Sequence, residues 1–123
     1  MAKKILVVDD SKTALLMERE ILEKRTGHQC VTAADGQEAV EKAQQERPDL
    51  VLMDVVMPRM NGFEACKMMR QQSSTREIPI VLVTTRSEES YMEAGFASGC
   101  NDYITKPVDG AELVALVQSY LGE

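Results

Sequence analysis

Five short apolar runs divide the chain and predict five β-strands. They lack the alternation of polar and apolar residues seen in half-exposed strands, which is typical of strands buried on both faces of a parallel sheet. A helical pattern follows each run, so the order of elements predicts an α/β fold of the (βα)5 type. Right-handed crossovers would place helices on both faces of that sheet, which makes it doubly wound. The runs are Ile5–Val8, Cys30–Ala33, Leu50–Met53, Ile80–Thr84 and Tyr103–Thr105.

The first helix is predicted over about residues 12–24, with one apolar stripe facing the sheet. Leu16 points away from that stripe and is expected to be exposed. Residues 72–76 show no apolar period and predict a solvent-exposed loop. The stripe consists of Ala14, Met17 and Ile21, with Leu15 and Leu22 beside it.

Capping signals mark two of the other helices. Asp35 is the predicted N-cap of the second helix, which ends before Pro48, and Asp109 is the predicted N-cap of the last. The fourth helix has the weakest pattern, since Gly95 and two serines lower its helix propensity. The third helix is predicted over residues 63–71 and the fourth over 88–98.

The length and charge of the chain narrow its function. A chain of 123 residues fits one domain, 1–123, with a single core. The formal net charge of -6 argues against a general binder of nucleic acid or anionic membranes, because both require a basic surface. The apolar run before Asp9 and Asp10 is too short for a signal peptide or a membrane span. We therefore expect a cytoplasmic protein with no membrane insertion.

The cysteines and the single histidine predict neither disulfides nor a zinc site. Cys30, Cys66 and Cys100 are odd in number and widely spaced, which suits reduced thiols in a cytoplasm. No CxxC pair is present, and His28 has no second ligand at a useful spacing. We expect His28 to be a solvated surface residue.

Asp54 follows the most apolar of the predicted strands. The carboxyl ends of parallel strands are where ligands bind in open α/β sheets, so a carboxylate there is a candidate site residue. An alternative is that Asp54 is a helix N-cap that closes the loop between strand and helix.

Other predicted strands also end in polar side chains. In a sheet of order 2-1-3-4-5, the winding direction reverses between the first and third strands, and these side chains would converge on one crevice. A simpler alternative for Asp9 and Asp10 is that they only cap the first helix. The strand-end residues are Asp9, Asp10, Asp54, Thr84, Thr85 and Lys106.

This set of side chains predicts phosphoryl chemistry. Three neighbouring carboxylates repel one another unless a cation joins them, and a hard divalent ion such as Mg²⁺ satisfies oxygen ligands. Asp54 and one of Asp9 or Asp10 would bind the metal, together with a backbone carbonyl of the following loop. Lys106 supplies a positive charge and Thr84 a hydroxyl for phosphoryl oxygens, so we predict phosphoryl transfer to Asp54. The Lys106–Pro107 bond favours a cis peptide that turns the lysine inward.

Four segments of the sequence resemble the receiver domain of two-component response regulators, of the stand-alone, CheY-like chemotaxis type. The resemblance covers the whole chain and implies a flavodoxin-like, CheY-like sheet of order 2-1-3-4-5. Three shorter stretches, VVMP, VTT and TKPVD, are also similar to regulators of pilus-driven twitching motility. The four segments are ILVVDDS at 5–11, LMDVVMPRMNG at 52–62, VTT at 83–85 and DYITKPV at 102–108.

The resemblance implies a role for each site residue. Asp54 would accept a phosphoryl group from a histidine kinase, while Asp9, Asp10 and the Val56 carbonyl organise Mg²⁺. Lys106 and Thr84 would bind the phosphoryl oxygens. Tyr103 would be the switch aromatic that remodels the surface of the fourth helix, fifth strand and fifth helix. The chain ends with that helix, so no output domain is expected, and a motor or pilus component is a possible target.

Three positions depart from the family pattern. Val56 is apolar, Arg86 is basic, and Thr85 is bulkier than the small residue often found there. In the family, the first two positions control access of the hydrolytic water. We hypothesise that Val56 and Arg86 together set the dephosphorylation rate, and that Thr85 slows entry of the phosphoryl group.

Two other functional classes fit part of this pattern. A haloacid dehalogenase phosphatase also has an Asp nucleophile with Mg²⁺, Thr and Lys, but it requires a second Asp where this chain has Val56. A phosphate sink, or a receiver cut from a larger protein, carries the same residues as a messenger. We expect a signalling switch rather than an enzyme, although the domain assists its own phosphorylation and dephosphorylation.

Overall fold

Strands and helices alternate along residues 2–86 and 88–122, the part of the chain that the computed structural model describes. The strands are β1 (Lys4–Val8), β2 (Gln29–Ala33), β3 (Leu50–Asp54), β4 (Ile80–Thr84) and β5 (Asp102–Thr105). The helices are α1 (Lys12–Thr26), α2 (Gly36–Glu46), α3 (Gly62–Gln71), α4 (Glu89–Ala97) and α5 (Gly110–Leu121). The predicted (βα)5 order is confirmed.

All five strands pair in parallel, in the order β2-β1-β3-β4-β5. This is the order that the resemblance to receiver domains implies. Val8 of β1 lies opposite Met53 of β3, so the carboxyl ends of these two strands are level. Because the winding direction reverses between β1 and β3, a crevice opens above their ends.

Two apolar layers enclose the sheet. Helices α1 and α5 cover one face, where Leu22 and Leu113 pack against Ile5 and Val7 of β1. Helices α2 and α3 cover the other face, against Leu6 and Val8, and α4 adds Tyr91 at its edge. Every residue of β3 and β4 is buried, which explains why their sequences show no alternation.

A glycine allows the loop after β3 to fold back onto the strand. The Gly62 amide donates a hydrogen bond of 2.8 Å to the Val55 carbonyl. A Cβ atom at this position would lie 2.5 Å from the backbone oxygen of Asp54. Only glycine fits so close to the strand, and this contact sets where α3 begins relative to Asp54.

The two predicted N-caps, Asp35 and Asp109, are both confirmed. The Asp35 side chain accepts from the Glu38 amide at 2.8 Å, and Asp109 accepts from the Ala111 amide at 3.2 Å. Helix α4 starts without a side-chain cap hydrogen bond, in agreement with its weak sequence pattern. None of the helices in the described part of the chain has both the length and the apolar character needed to cross a bilayer.

One prediction for α1 is wrong. Met17 was expected in the buried stripe, but its side chain is 60% exposed, whereas Leu16 is exposed as predicted. The line facing the sheet follows a spacing of four residues, from Ala14 through Glu18 to Leu22. Glu18 therefore occupies an inward position where an apolar residue would be expected.

Two polar residues predicted to be exposed are buried. His28 accepts a hydrogen bond from the Lys3 amide through Nδ1 at 3.0 Å, and its Nε2 is buried without a partner among the described residues. Thr75 lies in the segment predicted as a solvent-exposed loop, but its hydroxyl donates to the Met69 carbonyl at 2.6 Å. His28 satisfies a backbone amide just before β1, and Thr75 satisfies a carbonyl in the last turn of α3, which short-range sequence patterns do not reveal.

Candidate functional site

Three carboxylates converge above the ends of β1 and β3. Asp9 directly follows β1 and Asp54 ends β3, and both side chains are buried, whereas Asp10 is exposed. Each of the three offers one oxygen, and these oxygens lie within 4.8 Å of one another. The predicted convergence of the strand ends is therefore present in the structure.

None of these carboxylates caps the helix that follows it. Ser11 caps α1 by accepting a hydrogen bond from the Ala14 amide at 3.2 Å. Asn61 and Glu64 cap α3 through a reciprocal pair of hydrogen bonds, each 2.9 Å long. Since other residues satisfy the helix ends, the capping alternatives for the aspartates are wrong.

Lys106 enters the same crevice from β5. Its Nζ donates a hydrogen bond to Asp9 Oδ2 at 2.8 Å and lies 3.5 Å from Asp54 Oδ2. The peptide bond between Lys106 and Pro107 is cis, as predicted. The Lys106 amide also donates to the Thr84 carbonyl at 2.7 Å, which ties the start of this loop to the end of β4.

The electrostatics of the crevice favour a cation. Burial and, to a smaller extent, the charge of Asp9 together raise the pKa of Asp54 to about 6, against the opposing charge of Lys106. Burial lowers the pKa of Lys106, but its hydrogen bond to Asp9 and the charge of Asp54 outweigh that effect and raise it above the ordinary value. One ammonium therefore does not neutralise the neighbouring carboxylates.

The donor set fits a hard divalent ion. Asp9, Asp10 and Asp54 offer only oxygen ligands, and the exposure of Asp10 leaves room for the water molecules that Mg²⁺ retains. These three residues would hold the ion. The carbonyl of Val56, which the resemblance adds to this set, stays a prediction.

Glu18 is a residue near the site that sequence reasoning missed. Burial, followed by the charges of Asp9 and Asp54, raises the pKa of Glu18 to about 7, while the charge of Lys106 opposes the shift. Glu18 and Lys106 also line one cavity of about 230 Å³ between α1 and the loop after β5. The spacing of four from Ala14 to Glu18 to Leu22 is the signal that could have identified this inward carboxylate.

Thr84 and Tyr103 both contact the backbone of Arg86. Thr84 is buried, and its Oγ1 accepts a hydrogen bond from the Arg86 amide at 3.2 Å. The Tyr103 hydroxyl donates to the Arg86 carbonyl at 2.6 Å. The peptide units on either side of Arg86 therefore connect the end of β4 to the aromatic residue on β5.

The remaining predicted site residues lie at the rim of the crevice. The Val56 side chain is 61% exposed, and Thr85 is also exposed. The Arg86 guanidinium pairs with Glu88 at 3.0 Å and lies 4.9 Å from the centre of the Tyr91 ring. It is thus held over α4, so its charge is directed toward that helix.

Comparison with known proteins identifies the family. The family model described as response regulator receiver domain matches residues 5–118. The chain belongs to this family. The expected CheY-like fold is confirmed by solved structures: Vibrio cholerae chemotaxis protein CheY4 is 37% identical, with a TM-score of 0.91, over 98% of this chain and 99% of that one.

Two further relatives bear on this receiver domain. Protein PilH of Pseudomonas aeruginosa is 42% identical over 118 residues, which are 96% of this chain and 97% of PilH. The receiver domain of sensor histidine kinase PA1611 from the same species is 31% identical, with a TM-score of 0.91 and full coverage of both chains. That structure is described with a magnesium ion coordinated in its active-site cleft. Several other relatives are transcriptional regulatory proteins, and the chain spans about half of their length.

Proposed function

We propose that this receiver domain is a phosphorylation-activated switch that accepts a phosphoryl group from a histidine kinase on Asp54. The observation that carries the proposal is the convergence of Asp54 with Asp9, Asp10 and Lys106 at the carboxyl edge of the sheet. A nucleophilic carboxylate, oxygen ligands for a metal and a fixed ammonium are the groups that phosphoryl transfer to an oxygen requires.

The transfer itself requires few protein groups. An Asp54 oxygen attacks the phosphorus of a phosphohistidine, the P–O bond forms as the P–N bond breaks, and the imidazole leaves with the electron pair. Asp54 must be ionised to attack, which its raised pKa of about 6 still permits at neutral pH. Lys106 faces Asp54 and offers its charge to the transferred oxygens. A bound Mg²⁺ supplies further neutralisation of the phosphoryl charge.

The hydrogen bonds around Arg86 support a route from the site to the surface. Thr84 Oγ1 now accepts from the Arg86 amide, and the Arg86 carbonyl accepts from Tyr103. We propose that a phosphoryl group on Asp54 draws the Thr84 hydroxyl toward it and releases that amide. Tyr103 would follow because its partner carbonyl belongs to the same residue. Couplings of this kind are typically worth about 1–3 kcal/mol.

We further propose that the domain is a switch and not a phosphatase acting on free phosphate esters. A haloacid dehalogenase reaction needs an acid-base carboxyl two residues after the nucleophile, and Val56 has none. Steady turnover of p-nitrophenyl phosphate in the presence of Mg²⁺, lost in Asp54→Asn, would contradict this proposal.

The test of phosphorylation uses a small acyl phosphate in place of the kinase. We expect intact-mass measurement to show one added phosphoryl group with Mg²⁺ present and much less when the metal is chelated. Asp54→Asn should show none, while Asp49→Asn, which changes an exposed aspartate at the opposite end of β3, should behave as wild type. Equal labelling of the Asp54→Asn protein would refute the assignment of Asp54.

A further inference from the structure

The net charge of the protein is concentrated in its last third. Residues 1–87 contain 13 acidic and 13 basic side chains, so they are electrically balanced. The segment from Glu88 onward contains the other seven acidic residues and a single basic one, Lys106. The whole formal charge of -6 therefore belongs to the sequence from Glu88 to Glu123, which contains α4, β5 and α5.

Little of this charge is neutralised within the molecule. Lys106 points into the crevice, where it binds Asp9 and Asp54. Arg86 precedes the segment, and its guanidinium pairs with Glu88. The six acidic residues of the described part of this segment form what we call the acidic face, and all but the half-buried Asp102 are exposed: Glu88, Glu89, Glu93, Asp102, Asp109 and Glu112.

The acidic face also presents apolar contacts. A groove of about 270 Å³ lies between β5 and α5 and has a mixed lining, in which Tyr103, Ile104 and Leu116 stand beside the polar residues Asp102, Thr105 and Glu112. The Phe96 ring of α4 is 48% exposed. Apolar anchor sites bordered by charges of one sign are typical of surfaces that bind an amphipathic segment.

The groove is connected to the crevice. Tyr103 lines it, and the hydroxyl of Tyr103 is held by the Arg86 carbonyl two residues after Thr84. A movement of Tyr103 would therefore change the shape of the groove. This connection allows the state of Asp54 to control what the acidic face binds.

Charge decides between the candidate occupants. A second copy of the chain in a symmetric dimer would place the acidic face against itself, and the like charges would repel. Nucleic acid and anionic membranes are repelled for the same reason. We infer that the acidic face binds a basic, amphipathic segment of a partner protein, with apolar side chains entering the groove between β5 and α5. This inference rests on the proposed switch function, because it names the partner of the surface that the switch changes.

The test uses two synthetic helical peptides with leucines along one side. One carries lysines on the other side, and its matched control carries glutamates. Fluorescence anisotropy is measured with receiver treated with acyl phosphate and Mg²⁺, and its phosphorylation is checked by intact mass. We expect the lysine peptide to bind at least about tenfold more tightly than the glutamate peptide, and its affinity to fall as salt increases.

Matched charge variants separate a local surface from net charge. The variant Glu89→Lys/Glu93→Lys/Glu112→Lys should lose at least about tenfold in affinity for the lysine peptide. The control Glu20→Lys/Glu41→Lys/Glu77→Lys changes three exposed glutamates elsewhere by the same total charge and should stay within about twofold of wild type. Equal losses in both variants would overturn the inference, as would equal binding of the two peptides.

The remaining outcomes distinguish this inference from the switch proposal. Full phosphorylation without binding of the lysine peptide would refute the inference and leave the switch intact. Dimerisation of the phosphorylated protein at low salt, seen by sedimentation, would identify a second copy as the occupant and would also refute it. A failure to phosphorylate would refute the switch. The affinities of the unmodified protein for the lysine and glutamate peptides would then test the acidic face, and equal affinities would refute the inference.

Discussion

Single carboxyl groups determine how the crevice responds to pH. Asp54 and Glu18 are held where burial and the nearby charge of Asp9 disfavour their ionised forms. Asp35 shows the opposite case, since the Glu38 amide and the Arg59 guanidinium hold its pKa below the ordinary value. The ionised forms of Asp54 and Glu18 therefore lower the stability of the folded protein, whereas the ionised form of Asp35 raises it.

Glu18 allows a direct test of this cost. Its pKa is about 7 in the folded protein against 4.5 for the free side chain, so folding is favoured at low pH and this stability is lost as pH rises from about 4.5 to about 7. In the presence of a chelator, we expect Glu18→Gln to be more stable than wild type at about pH 8 and to lose most of that advantage at about pH 5. Urea unfolding at the two pH values measures the difference.

A matched variant is Glu20→Gln, which removes an exposed carboxylate from the same helix. It should show no comparable dependence on pH. An equal gain for both variants would mean that net charge, and not the position of Glu18, is responsible. Added Mg²⁺ should reduce the advantage of Glu18→Gln, because a cation between the aspartates lowers the repulsion that Glu18 experiences.

The side chain of Val56 allows a test of phosphoryl lifetime. It is apolar and exposed, two residues after Asp54, so it offers no hydrogen bond to a water molecule at the rim. We expect Val56→Asn to shorten the lifetime of the phosphorylated state several-fold, because the new amide can hydrogen-bond the hydrolytic water, an effect below the roughly 10²–10⁴-fold of a positioned general base. The loss of phosphoryl mass after removal of the donor measures it. Leu16→Asn, another exposed apolar residue changed to Asn, serves as the control, and an unchanged lifetime in Val56→Asn would refute the hypothesis.

The helices differ in how their first turns are capped and in how much of each is buried. Helix α3 starts with a reciprocal capping box, whereas α4 has no side-chain cap and buries only Gly95 among its residues. Gly95 looks like a defect in the sequence of α4, but a Cβ there would lie 3.3 Å from Leu82 and from the Tyr103 ring. The glycine therefore lets the aromatic residue of β5 lie against the helix.

Gly95→Ala tests this contact. In an exposed helix, replacing glycine by alanine gains about 1 kcal/mol, but here the new methyl group must displace Leu82 or Tyr103 by a few tenths of an ångström. We expect a gain well below that value, together with a shift of the Tyr103 ring resonances in NMR spectra. Ala94→Gly, at the exposed neighbouring position, should cost about 1 kcal/mol. A full gain from Gly95→Ala without a change at Tyr103 would contradict this account.

At the scale of the whole molecule, one arginine joins three elements at the edge of the sheet opposite the crevice. Arg70 of α3 donates to the Gly99 carbonyl at 2.8 Å, to the Ile78 carbonyl at 2.7 Å and to Asn101 Oδ1 at 2.7 Å. The same Asn101 oxygen accepts from the Ile80 amide at 2.9 Å. The start of β4 and the loop before β5 are thus both anchored to α3.

Arg70→Met should destabilise the protein by about 1–3 kcal/mol, because it leaves partly buried carbonyl groups without donors. Arg76→Met removes a charge at an exposed position nearby and should change stability by no more than about 0.5 kcal/mol. Denaturant unfolding compares the two variants. Since Arg70 is far along the strands from the crevice, phosphorylation of Asp54 in the Arg70→Met protein should still occur while the protein is folded.

The fold and most of the site were predictable because both depend on patterns that are local in sequence. Apolar runs located all five strands to within one residue at either end, and the handedness of crossovers restricted their arrangement. The residue following or ending each strand then gave Asp9, Asp54, Thr84 and Lys106. Their convergence follows from the parallel order alone, because all the carboxyl ends lie at one edge.

The sequence by itself determined the strands and the polar residues at their ends, since both depend on the chemistry of neighbouring residues, while the order of the strands was implied by the resemblance to receiver domains. Only the tertiary structure decided which of these groups pair. In the structure, Lys106 donates a hydrogen bond to Asp9, and Glu18 faces the sheet where Met17 was expected. His28 and Thr75 are buried. Helical periodicity defines a face only to within about one residue, and the burial of a polar group depends on partners distant in the chain.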